Sequence, residues 1–161
     1  MRYFLLVAVF SLLLSCNPSV ENSTEILQSR IDSLQKKLDH VYAPGLGEFM
    51  SSIQVHHNKL WFAGTSGNWE LANFEMEEIR ESIEDINRYN TYRPEIISLP
   101  MIVPPLDSLE SAIRQKNMAA FKSSFTLLTY TCNNCHKATK HAFNVIRIPD
   151  KPPFSNQSFE K

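Results

Sequence analysis

Between residues 121 and 135 one apolar stripe advances in steps of four and three: Phe121, Phe125, Leu128, Cys132 and Cys135. That spacing puts all five on the same face of an α-helix. A helix with such a face must bury it against other elements, so the stripe sets the fold class to be sought. Its last two members are thiols, where leucine or alanine would ordinarily serve. They lie in Tyr130-Thr131-Cys132-Asn133-Asn134-Cys135-His136-Lys137.

Four more segments have the same periodicity. Leu27, Ile31, Leu34, Leu38 and Val41 predict a first helix, with Asn22 and Glu25 spaced like a cap and its partner. Its stripe is shorter than the roughly three to four heptads that argue for a coiled coil. It suits packing on the rest of the domain, with an oligomerising stalk as the alternative, so a homodimer is among the expected partners. Pro44, Gly45 and Gly47 interrupt it. A second helix is predicted over residues 48–63, with Gly64 at its C-terminal end. A third starts near Asn68 on Trp69, Ala72, Met76, Ile79, Ile83 and Ile86. The rest of that helix, with Glu70, Glu75, Glu77, Glu78, Glu81, Glu84 and Asp85, reads as a solvated face, with a docking surface for a basic partner as the alternative. Residues 89–105, with four prolines, read as a long connection. A fourth helix follows, with Asp107 and Glu110 as its capping box and Leu106, Leu109 and Ile113 as its apolar side. The last helix is predicted over residues 118–143. The expected architecture is all-α: an antiparallel four-helix bundle over residues 47–144, preceded by a tether and helix (16–46) and followed by an extended tail (145–161).

The first 15 residues hold Arg2 and an apolar run, too short for a membrane span and suited to an export signal. Leu13-Leu14-Ser15-Cys16 resembles the lipobox of bacterial lipoproteins. The resemblance implies cleavage before Cys16, lipidation of its thiol and a lipid-anchored protein on the periplasmic side of a bacterial membrane. Loss of Arg2 with the signal leaves 15 basic against 17 acidic residues, a balance that offers nothing to nucleic acid.

With Cys16 committed elsewhere, Cys132 and Cys135 are a self-contained pair. A redox dithiol would want a preceding strand and a thiol at a helix N-terminus; this pair sits deep in a helix. Structural zinc needs four ligands, and His136 and His141 are poorly placed along one helix to complete a set. Covalent haem uses all three residues of the motif: two thioethers from Cys132 and Cys135, and the His136 imidazole for iron. The sequence therefore predicts one haem c.

With that motif in the last helix, residues 47–143 resemble the cytochrome c′ family of four-helix-bundle haem proteins. Lys140 stands where the family often has a basic residue, four after the histidine, and Thr139 where an aromatic is common. The resemblance implies a haem between facing helices. No catalytic constellation accompanies it, so the expected function is single-electron transfer to redox partner proteins rather than enzymatic turnover. A gas-binding or sensing haem protein (NO, CO) with an open iron position is the alternative, and a peroxidase, which would want a distal acid–base group, is a third. What separates these is the sixth iron ligand. Helix register brings His57 to the middle of the apolar face of helix 48–63, as ligand or distal neighbour. Met50 is the rival, and an open, apolar position the remaining choice.

Overall fold

The computed structural model describes residues 18–38, 41 and 43–160; Cys16 and the export signal lie outside them. Among the described residues every regular element is helical: α1 (Pro18–Leu38), α2 (Leu46–Thr65), α3 (Trp69–Tyr89), α4 (Val103–Arg114) and α5 (Met118–Ala138), with a 3-10 helix, Pro94–Ile102, between α3 and α4. The chain divides into two units, Met1–Tyr42 and Ala43–Lys161.

In the first unit α1 begins at Pro18, so Asn22 lies inside the helix and is not its cap. Proline is suited to a first turn because its missing N–H would have no helical partner there. Leu27, Ile31, Leu34 and Leu38, and Val41 just beyond, are all more than half exposed.

In the second unit α2 packs mainly on α3 and α4 on α5, with lesser α3–α4 and α2–α5 contacts; the 3-10 helix lies against α3, α4 and α5. The predicted stripes meet in one core: Ile53 and Leu60 of α2, Ala72, Met76, Ile79, Ile83 and Ile86 of α3, Leu106, Leu109 and Ile113 of α4, and Phe121, Phe125 and Leu128 of α5. Burial of each large side chain is worth about 1.5–3 kcal/mol. Trp61 stands 4.9 Å from Phe125 between ring centres, and the edge of Trp69 meets Phe121 at 5.9 Å.

Five further expectations are corrected. Gly64 lies within α2, where a Cβ would overlap the Phe121 ring; the glycine serves a close helix approach, and the left-handed residue of the turn is Gly67, with φ of 73°. The proline-rich connection is folded: Pro94 starts the 3-10 helix, and Pro104 and Pro105 sit in the first turn of α4, where no N–H is missed. Asp107 and Glu110 do not cap α4. They accept from Arg80 Nη2 of α3 at 2.8 and 3.0 Å. α5 ends at Ala138, where Thr139 turns its hydroxyl back on the Cys135 carbonyl at 2.9 Å and Lys140 takes φ of 64°. Finally, Glu75 belongs to the interior at 0 % exposure, its Oε2 2.7 Å from His56 Nδ1 and its Oε1 3.6 Å from Lys59 Nζ.

Residues Pro94–Arg114 are apolar and long enough to cross a membrane by composition alone. The burial of Leu99, Ile102, Leu106, Leu109 and Ile113 accounts for that composition as core. The tail has no helix and lies on the second unit: Phe159 is buried against Phe62, 5.8 Å between ring centres, and Lys59 Nζ sits 5.6 Å over the Phe154 ring.

Candidate functional site

A cavity of about 310 Å³ opens between the N-terminal half of α2, the 3-10 helix and the C-terminal half of α5. This is the size of small-molecule and cofactor pockets, about 300–1,000 Å³. Leu46, Met50 and Ile53 of α2, Ile83 of α3, and Leu99 and Ile102 make its apolar wall. Cys132, Cys135 and His136 all line it, so the three motif residues converge on one space, as their places on one helix require.

Both thiols are free. Burial pushes Cys132 up to about 12, helped by Cys135 beside it, and burial also raises Cys135. Thiols that stay protonated at neutral pH are poor nucleophiles, which speaks against dithiol exchange chemistry. Among the described residues no group of three or more His, Cys, Asp and Glu is arranged to hold a metal ion.

His136 is held from behind. After α5 the chain folds back, with His141 N bonded to His136 O and Asn144 N to His141 O at 2.9 Å. The two ends of the loop are fastened by Asn133, which donates from Nδ2 to Ile146 O at 2.8 Å and accepts from Ile146 N at 2.8 Å. This places the Asn144 carbonyl 2.7 Å from His136 Nδ1. A carbonyl only accepts, so Nδ1 carries the proton and Nε2 of the neutral ring is the bare nitrogen. A backbone acceptor behind one ring nitrogen is the usual support for a histidine that ligates through the other.

His57, Met50 and Gln54 line the same cavity. His57 is 3 % exposed, with its ring 4.4 Å from Phe125 and its Nε2 2.8 Å from Thr129 Oγ1. Thr129 itself donates to the Phe125 carbonyl at 2.9 Å. Its one proton is thereby used, and both contacts are satisfied when His57 Nε2–H donates to Thr129. Burial pulls the His57 imidazole down to about 4.

The polar part of the cavity lining includes Arg93, Glu95, Ser98, Thr139, His141 and Asn144. Arg93 grips Glu95 with two bonds, Nη2–Oε1 at 2.8 Å and Nε–Oε2 at 3.2 Å. The backbone N–H of Glu95, the Arg93 guanidinium and His141 hold the Glu95 carboxyl below the usual carboxylate range.

Sequence reasoning brought together Cys132, Cys135, His136, His57 and Met50, and the structure places all five on this cavity. Cys16 is outside the described residues. Arg93, Glu95, Asn133, Asn144 and Thr129 were missed. Asn133 had a signal, being inside the motif; the Arg93-Pro94-Glu95 triplet was hidden in a stretch read as connection.

Compared with protein-family models, with curated proteins and with solved structures, the chain matches none.

Proposed function

We propose that the chain is a membrane-tethered c-type cytochrome with one haem, built on an antiparallel four-helix bundle of α2, α3, α4 and α5, and that it passes single electrons on the periplasmic side of a bacterial membrane. The observation that carries the reading is the convergence of Cys132, Cys135 and His136 on one apolar cavity, with His136 Nδ1 engaged by the Asn144 carbonyl. Short links between α2 and α3 and between α4 and α5, whose ends are separated by three residues each, support antiparallel neighbours.

The residues fit a haem by their chemistry. Cys132 and Cys135 supply two thiols one helical turn apart, and His136 supplies a nitrogen with its lone pair free. Leu46, Met50, Ile53, Ile83, Leu99 and Ile102 exclude water from the macrocycle's place. Arg93 in the polar part of the lining brings a guanidinium suited to carboxylate side groups. When bound, the haem supplies an iron that changes oxidation state by one electron. The protein's part is to hold the His136 ring in one orientation and keep the surroundings apolar.

Protein made in a host that matures c-type cytochromes should keep its red colour through acid–acetone extraction, and replacement of both Cys132 and Cys135 by alanine should abolish attachment. Colour extracted from the wild type would overturn the reading.

One observation favours a second reading, a gas-binding haem protein with an open iron position: His57 keeps its Nε2 on Thr129. The spin state decides. A high-spin wild type that binds CO or NO supports the open position, whereas a low-spin wild type that turns high-spin as His57→Leu supports ligation by His57. Low spin in both points to Met50.

A further inference from the structure

We infer that α1 is one strand of a parallel two-stranded coiled coil, so that the chain dimerises through this helix and not through the Ala43–Lys161 unit. This rests on α1 alone and is independent of the haem reading. α1 is a helix of 21 residues whose apolar side chains Leu27, Ile31, Leu34 and Leu38 are 55–63 % exposed. Helices in proteins owe most of their stability to a covered apolar face, so a stripe left open on a formed helix calls for a partner.

The stripe itself says which partner. With Leu27 and Leu34 at heptad position d, Ile31 and Leu38 fall at a within this helix of 21 residues. Ile31 at a with Leu27 and Leu34 at d is the pairing that favours two parallel strands, with Leu38 at the second a. The flanks agree. Arg30 and Lys37 hold the g positions and Gln28 and Gln35 the e positions. In a parallel pair g faces e′ of the next heptad, so Arg30 meets the partner's Gln35, and no like charges oppose. In an antiparallel pair g faces g′, and Arg30 would stand against the partner's Lys37. The acidic residue Asp32, bonded to Gln28 Nε2 at 2.8 Å, points its charge away from the seam at position b. The occupant of this face is a second copy of the chain, side by side and in register.

The test uses the full chain carrying Cys16→Ser, which leaves no thiol outside the Cys132–Cys135 pair. Sedimentation equilibrium from micromolar to submillimolar concentration should give a dimer. Leu34→Asp should weaken association by at least about tenfold, while Ser29→Asp, on the outer f position, should leave it unchanged. Leu27→Cys, near one end of the helix, should form an interchain disulfide under mild oxidation, and Ser29→Cys should not. A monomer throughout the range overturns the inference. So does a dimer indifferent to Leu34→Asp, which would place the contact outside α1, and a dimer in which Leu27→Cys fails to cross-link, which would exclude the parallel register.

Discussion

His57 is the residue whose surroundings most change its chemistry. In an unfolded chain it titrates near 6.5; buried against Phe125 it is held down to about 4. The unfolded state therefore takes up a proton, on descending from pH 6.5 to 4, that the folded state refuses. Stability from this group is complete above pH 6.5 and is lost as pH falls, by about 3 kcal/mol across the interval at about 1.4 kcal/mol per pH unit. Denaturant unfolding of wild type and His57→Leu at pH 7.5 and at pH 4.5 should show the variant losing less on acidification, by about 2 kcal/mol or more. Equal losses would show that His57 is not buried as described. His136, which lines the same cavity, is partly exposed and backed by a carbonyl. Two histidines thus present opposite characters to one space, one tied up through Nε2 and one free at Nε2.

Among elements, the α2–α5 contact depends on Gly64. Because a methyl there would overlap the Phe121 ring, itself fully buried, Gly64→Ala must push the helices apart or force the ring from its rotamer. Overpacking of this kind costs about 1–3 kcal/mol, somewhat offset by alanine's better helix propensity. The urea midpoint should fall accordingly; an unchanged midpoint would mean the two helices separate freely. The same elements show what was legible in the sequence. Stripes such as Met76, Ile79, Ile83 and Ile86 are written locally, in spacings of three and four, and they are the core. The Cys132–Cys135–His136 constellation was legible because its chemistry sits in five consecutive residues. Glu75 was not, since the His56 and Lys59 that make its burial tolerable come from another helix. Nor was the 3-10 helix, whose prolines read as breaks although Pro94 only opens it and Pro100 is accommodated within it. The end of α5 was misplaced for want of a glycine or proline; Thr139 and Lys140 stop it by side-chain bonding and a left-handed turn.

For the whole molecule the question is where it resides. If Cys16 carries lipid, as the lipobox resemblance implies, the wild type should partition with membranes and into detergent, and Cys16→Ser should be released or left unprocessed. A wild type found in the soluble fraction would rule the anchor out. A parallel pair of α1 helices would bring two such anchors to one end, and two acyl signals hold a membrane far more firmly than one.

The loop behind His136 gives assembly an order. Asn144 and Ile146 follow the motif in the chain, and the bonds that fasten them to His136 and Asn133 close only once those later residues have folded back. The two thiols need none of this to react. If a haem is attached as proposed, a chain cut short after Phe143 should still acquire it and yet leave the His136 imidazole free to turn. On that reading capture comes first and orientation last, and residues 144–146 serve as the latch.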